Sequence, residues 1–278
     1  MSQSKAQLEE QPRQPAERLP GADLNEAKMP GHWLLARMGK RVLRPGGREL
    51  TQQMVDDLKI DDKTDIVELA PGLGLTARLL LERKPRSYNA VERDSDAAAI
   101  VKRRLAQFSP INIHISNAEE TGLNDACTDI VLAEAMLTMN NQEHKIRIAK
   151  EAYRILRRGG QYAIHELAIC PEDAAADIQA IISKSLSEAI HVGARPLTRN
   201  QWCTCLEEAG FVIEKVHTAP MALLEPKRIL ADEGLLRTIR FSLNVVKSPE
   251  ARRRVLMMRR TFRRYQSNLE GIAIIARK

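Results

Sequence analysis

The sequence predicts an α/β protein, a doubly wound, seven-stranded, mostly parallel sheet with helices on both faces. Three observations carry that expectation. Short apolar runs alternate with helical segments from about residue 64 onward, which is the pattern of βαβ units. A glycine-rich turn, Gly72-Leu73-Gly74, joins the first run to a helix. The last two runs are separated by a long helical stretch, so the chain closes with two strands that are not hairpin neighbours.

The elements follow in order. Residues 1–28 are polar, contain prolines and almost no large apolar side chain, and cannot bury enough surface to offset chain entropy. A disordered arm is expected there, with a single domain from 29 to 278. "HWLLARMGKRVL" has apolar residues at helical spacing and stops at Arg44-Pro45-Gly46-Gly47, and "RELTQQMVDDLKI" is a second helix. "DIVELA", "SYNAVER", "INIHISN" and "TDIVLAEAM" read as the first four strands, with helices at "LTARLLLERK" and "SDAAAIVKRRLAQF". "NQEHKIRIAKEAYRIL" is helical and "GQYAIHELAI" a fifth strand. "TRNQWCTCLEEAGF" is a helix ending at Gly210, before the strands "FVIEKVHTAP" and "GIAIIARK". Segments 31–58, 171–198 and 225–266 fall outside the sheet core and are expected to roof one end of it as helical lid elements.

Composition narrows the class. With 278 residues and 44% hydrophobic content the chain can bury a full core. No apolar run approaches the roughly 20 residues that span a bilayer, and no leader pattern opens the chain, so a cytoplasmic protein is expected. Cys127, Cys170, Cys203 and Cys205 do not form paired CxxC sites and read as reduced thiols; no metal site is expected. The net charge of +7 is uneven. Between Lys227 and Arg264 twelve basic residues stand against Asp232, Glu233 and Glu250, so this segment carries +9 and the remainder −2.

The turn sets the functional question. Gly72-Leu73-Gly74-Leu75-Thr76-Ala77 satisfies the G-x-G-x-x-A dinucleotide fingerprint, and Glu92 lies near the offset of a ribose-binding acid. No Gly-Lys-Ser/Thr follows, which excludes a triphosphate cradle. The first strand carries Glu68 before the turn, where a dinucleotide strand is usually apolar. The next two strands end in Glu92 and in "SNAEE", and "LRRGG" precedes the fifth.

In these residues the chain resembles the class I S-adenosylmethionine (SAM)-dependent methyltransferases, with their Rossmann-like fold. The family's acid and Gly-x-Gly turn resemble Glu68 to Gly74. Its ribose acid matches Glu92, its Asp-Ala after the third strand is similar to Asn117-Ala118, and its Leu-Lys-Pro-Gly-Gly resembles Leu156 to Gly160. The resemblance implies SAM as cofactor, held by Glu68, Ala70, Gly72, Gly74, Glu92, Arg93, Asn117, Ala118 and Glu134. Ala70 stands where a glycine often lies, which is tolerable if the backbone there needs no positive φ. Asn117 replaces an aspartate and offers adenine an amide oxygen. SAM has no phosphate, so the tight turn serves close backbone approach, and Glu92 can accept both ribose hydroxyls.

In an open parallel sheet the site lies beyond the carboxyl ends of the strands. That places Glu134, Met136, Asn140, His165 and Glu166 at its mouth. His165 is the best-placed base by sequence, with Glu134 beside it as a catalytic candidate; the alternative for His165 is a strand-end histidine bonded to backbone. Met136, Asn140, Glu166, Arg252 and Arg253 are candidates for the acceptor and lid side, and Met136 and Met139 read as pocket lining or core. The layout of extra helices is similar to that of quinone and lipid methyltransferases, which implies a small, partly apolar acceptor.

Two other readings stay open: an NAD(P)-dependent oxidoreductase using the Gly72/Gly74 turn, and a protein that binds nucleic acid or an anionic membrane surface through the 227–264 arginines. The 4% aromatic content counts against nucleic acid. For the basic stretch itself, a solvated face, a funnel for an acidic acceptor and docking to an anionic surface compete. The expectation is a lid whose apolar side (Val255, Leu256, Met257, Phe262, Tyr265) lines the pocket. A homodimer is left open.

Overall fold

The computed structural model describes residues 19–108 and 110–278. The central strands are β1 (Asp65–Leu69), β2 (Ser87–Glu92), β3 (Asn112–Ile115), β4 (Thr128–Glu134) and β5 (Leu156–Ile169). A two-residue β6 (Leu197–Thr198), β7 (Val212–Pro220) and β8 (Leu269–Arg277) complete the sheet. Its order is β3-β2-β1-β4-β5-β8-β7, with β6 beside β5. The pairs from β3 to β5 are parallel, while β8 runs antiparallel to both β5 and β7. This is the Rossmann-like arrangement expected, with one strand more than the seven counted in sequence. Leu197–Thr198 is too short to show a period, and it pairs with Ala168 and Ile169 because the chain passes the end of β5 on its way into a helix.

Helices α2 (Gly47–Asp57), α3 (Leu75–Leu81) and α4 (Ser95–Arg104) cover one face; α5 (Gln142–Ile155) and α7 (Arg199–Glu207) cover the other. All five residues of β1 are buried, as a strand covered on both faces requires. Strand alternation divides the core. Ile66, Ala90, Leu132, Ala163 and Ile275 face α2–α4, while Val67, Leu69, Val131, Ala133, Ile164 and Ile274 face α5 and α7. Local chemistry sets several helix starts. The Asp94 carboxylate accepts the amides of Asp96 and Ala97, and Thr198 and Gln201 form a reciprocal capping box at α7.

A third cluster is helical. It packs α1 (Gly31–Met38), α6 (Ala176–Ile190), α8 (Pro226–Glu233), α9 (Leu235–Lys247) and α10 (Pro249–Arg264) around Leu34, Ile182, Leu186, Phe241 and Met258. Leu167 and Ile169 of β5 and Leu269 of β8 belong to it, so this layer sits against the carboxyl end of β5. The first expected lid segment divides. Its α1 joins the helical layer, but α2 buries Leu50, Met54 and Val55 on the sheet itself. The stretch 225–266 is three helices, broken at Gly234 and at Ser248-Pro249.

The arm expected to be disordered is corrected over its described part. Residues 19–28 are fastened by arginines that donate to backbone carbonyls: Arg37 to Gly21, Ala22 and Leu24, and Arg254 to Glu26 and Met29. Residues 1–18 lie outside the described residues. Among the described residues no helix is long and apolar enough to cross a membrane, and no cluster of His, Cys, Asp and Glu could hold a metal ion.

Candidate active site

The chain reverses strand order between β1 and β4, and the crevice beyond their carboxyl ends is where open α/β sheets bind ligands. Glu68, Glu92, Glu134 and His165 each stand two residues beyond a core residue of the α2–α4 face: Ile66, Ala90, Leu132 and Ala163. The period of two therefore gathers three carboxylates and an imidazole on one side of the crevice.

The turn between β1 and α3 is built from alternating left-handed residues: Ala70 at φ 52°, Gly72 at 56° and Gly74 at 71°. The condition stated for Ala70 is not met: the backbone there is left-handed, which costs a non-glycine residue about 1 kcal/mol or more. A Cβ added to Gly72 would meet only the Ala70 carbonyl oxygen, 3.9 Å away, so the space over this glycine is open.

Glu68 is buried beneath the turn and accepts a 2.6 Å hydrogen bond from the Tyr88 hydroxyl. Burial, reinforced by the charges of Glu134 and Glu92, pushes its carboxyl up to about 8, against the opposing Tyr88 bond. Glu92, 8% exposed, accepts the Asp94 amide at 3.0 Å and also receives the Gly72 amide. Burial raises its carboxyl as well. Arg93 and Asn117 are exposed, and the Asn117 side-chain oxygen accepts the Glu119 amide. Ala118 is buried in the core on the α5 side.

Glu134 is saturated. Arg44, Thr76, Thr51 and His165 all converge on its two oxygens. Burial opposes its charge, yet the Arg44 guanidinium and the His165 bond hold its carboxyl far below the usual carboxylate range. His165 is fully buried. Its Nδ1 faces Glu134 at 2.8 Å and its Nε2 faces the Pro45 carbonyl at 2.5 Å. The expectation that His165 and Glu134 act as base and partner is therefore corrected. They form a buried link between the α1–α2 connection and the sheet, with no ring nitrogen turned to the mouth.

Glu166 is corrected too. It points to the opposite face, where its oxygens accept the amides of Met136, Leu137 and Thr138 and the Thr138 hydroxyl. This buried carboxylate caps the short 3₁₀ turn at 137–139 and has no capacity left for an acceptor. Met136 and Asn140, joined by a 2.9 Å bond from Asn140 Nδ2 to the Met136 carbonyl, lie on the loop it fixes. Arg252 and Arg253 are on the solvent side of α10, and Arg253 pairs with Glu250. Beside them Arg254 turns inward to residues 26–29, away from the β1–β4 crevice. The apolar side of α10 also divides: Val255 and Phe262 are buried in the helical layer, while Leu256 and Met257 are exposed.

Sequence reasoning missed Arg44, Thr51 and Thr76. Arg44 is buried in the crevice with its Nε unpartnered. A cation at the Arg-Pro-Gly-Gly break, where a helix ends and the chain must turn toward the sheet, was the one available signal.

Comparison with known proteins fits this geometry. Residues 67–164, from β1 to β5, match the model of the methyltransferase domain family. An uncharacterized protein of Haemophilus influenzae is 31% identical over 251 residues, which is 89% of this chain and 98% of its own length. Residues 67–164 are thus a methyltransferase domain. The fold is shared with phosphoethanolamine N-methyltransferase 2 of Haemonchus contortus, solved with SAM (TM-score 0.68, 13% identity, 93% of this chain and 58% of that one). It is shared equally with the [4+2]-cyclase SpnF (TM-score 0.67, 16% identity, 88% and 92%).

The crevice of this methyltransferase suits SAM as its cofactor. Neither Glu68 nor Glu92 makes an ion pair among the described residues, and a pyrophosphate would raise both carboxyls further and leave them without a partner. An ammonium and a diol meet acceptors there instead. The open space over Gly72 and the orphaned Arg44 Nε complete the fit.

Proposed function

We propose that this protein transfers a methyl group from SAM to a small, partly apolar acceptor held under the helical layer, within a single domain spanning residues 29–278. When bound, the cofactor supplies an electrophilic sulfonium methyl. The chain supplies the rest. In this reading Glu92 accepts the ribose hydroxyls, Asn117 and Ala118 border the adenine, and Glu68 lies opposite the ammonium. The Gly72 backbone allows close approach, and the Arg44 Nε donates to the cofactor carboxylate.

The observation that carries the acceptor class is the helical cluster itself. It gathers Leu167, Ile169 and Leu269 at the strand ends with apolar residues of α1, α6, α8, α9 and α10, so the acceptor side is walled by hydrocarbon. Met136 and Asn140, on the loop after β4, are the candidates for its other side. Because His165, Glu134 and Glu166 are all committed to protein partners, the acceptor arrives already nucleophilic, as a phenolate, an enolate or an amine. The protein then needs to align it and exclude water.

The test is incubation with methyl-labelled SAM and fractionated cell extracts, followed by mass spectrometry of labelled products. Label in a small molecule of the apolar fraction supports the proposal. Label confined to RNA or protein fractions overturns the acceptor class.

A further inference from the structure

Helix α9, "LLRTIRFSLNVVK", buries Phe241 and Val245 against the helical layer and leaves a second apolar row uncovered. Leu235, Leu236, Ile239, Leu243 and Val246 are all exposed, Leu236 by 83% and Val246 by 61%. At about 100° per residue these five fall within one stripe roughly 100° wide, on a helix already anchored by its other side. A soluble surface carries scattered apolar residues without consequence, but a continuous row along three turns marks a contact face.

Cations border this row. Arg240 and Lys247 lie along one flank, with Arg237 farther around, and Arg252 follows at the start of α10. Among the described residues no acidic side chain pairs with Arg237, Arg240, Lys247 or Arg252. Other basic residues of the stretch are spent inside the protein: Arg228 on Glu49 and Asp232, Arg254 on backbone carbonyls, Arg259 and Arg263 on Glu225. Besides Arg254, seven basic residues in this stretch have no acidic partner among the described residues: Arg237, Arg240 and Lys247 lie on α9 itself and Arg252 follows it, while Lys227, Arg260 and Arg264 lie on the neighbouring helices.

We propose that α9 is an in-plane anchor that docks the protein on an anionic lipid bilayer. Its apolar row enters the boundary between headgroups and acyl chains, and its arginines and lysine meet the lipid phosphates. Charge complementarity selects this occupant. A second copy of the chain, paired row to row about a two-fold axis, would bring the same unpaired cations against each other. The chain's own residues 1–18 offer only Met1 and Leu8 as large apolar side chains, too few to cover five. A nucleic acid would satisfy the cations and leave the apolar row idle.

The anchor also bears on the crevice. Asn244 of α9 donates to the Met38 carbonyl at 2.9 Å, at the end of α1, and Glu233, just before α9, accepts the amides of Arg41 and Val42. The connection that carries Arg44 into the crevice therefore lies directly against the docking helix. The inference concerns binding alone and stands apart from the acceptor proposed above.

Co-sedimentation with vesicles tests it, using phosphatidylcholine with and without about one third phosphatidylglycerol. The full chain is expected to sediment with the anionic vesicles, less so as salt rises, and weakly with phosphatidylcholine alone. Replacing Leu236, Ile239 and Leu243 by Ser removes exposed side chains only, so the variant keeps its thermal unfolding profile while binding falls at least about tenfold. Arg240→Gln with Lys247→Gln lowers binding about fivefold per charge at low salt. Absence of sedimentation with anionic vesicles at low salt overturns the proposal, as does a serine variant that binds unchanged. Binding to RNA in place of vesicles overturns it too. So does a dimer in sedimentation velocity that the serine variant abolishes, which would assign the row to a second copy.

Discussion

Replacing Glu68 by Gln isolates the electrostatic cost of a carboxyl under the cofactor turn. Its carboxyl rises from 4.5 to about 8 on folding. At about 1.4 kcal/mol per unit that shift is worth about 5 kcal/mol, and relaxation around the ionised group reduces it to about 2–3 kcal/mol. The sign follows from proton binding. Below pH 4.5 both states hold the proton and Glu68 contributes no pH dependence. As pH rises toward 8 the unfolded chain releases its proton while the folded protein retains it, so stability falls across that window and levels off above it. Gln cannot ionise, keeps the bond to Tyr88 and lacks this loss. Chemical denaturation of both proteins from about pH 5 to about pH 9 should show the variant gaining on the parent by about 2–3 kcal/mol. Cofactor binding adds a second readout. An ammonium placed opposite Glu68 favours the carboxylate, so binding at neutral pH should release a proton, seen as a buffer-dependent heat, and the variant should show none. Parallel stability curves together with identical buffer dependence would refute this account of Glu68.

Three further substitutions probe the crevice. Gly72→Val should cost about 1–2 kcal/mol of stability for its left-handed backbone but abolish SAM binding in calorimetry; retained affinity would remove the turn from the site. Glu92→Ala should weaken SAM by about 1–3 kcal/mol in addition to the stability lost when the Asp94 and Gly72 amides lose their acceptor, and an unaltered dissociation constant in the folded variant would take the ribose away from it. His165→Ala should destabilise the fold by about 3 kcal/mol, because Glu134 loses a buried partner and the Pro45 carbonyl its donor. A variant that unfolds like the parent yet has lost its turnover would restore His165 as a base.

The sheet was legible because its information is local. "DIVEL" is apolar apart from Asp65 at its start and Glu68, and such a run has few alternatives to a buried parallel strand. The helix starts at Asp94 and Thr198 announce themselves through side chains that bond amides two or three residues ahead. The strand-end acids were legible for the same reason: Glu68 and Glu92 sit beside a turn that spacing alone identifies. His165 and Glu166 misled because position along a strand says nothing of what covers each face. His165 is met by Pro45, 120 residues earlier, and Glu166 by the amides of 136–138. Arg44 could not be assigned since its partner Glu134 lies 90 residues away and only the folded chain joins them. Ala70 hid its strain because φ has no compositional signature when the residue is not glycine.

The helical layer has a consequence for how this enzyme can change. Its hydrophobic cluster is built from α1, α6, α8, α9 and α10 with a core of its own, and it shares with the sheet only residues at the far end of β5 and the start of β8. The carboxylate cradle belongs to a different cluster, between the sheet and α2, α3 and α4. A substitution that reshapes the layer, such as a smaller residue at Ile182 or Met258, acts first on its own neighbours and reaches the crevice only through the α1–α2 connection that Glu233 and Asn244 hold. Distant, unshared sites add nearly independently in free energy. On the function proposed above, the molecule is thus modular in the evolutionary sense: the layer can drift toward new acceptors while the crevice keeps the same methyl donor.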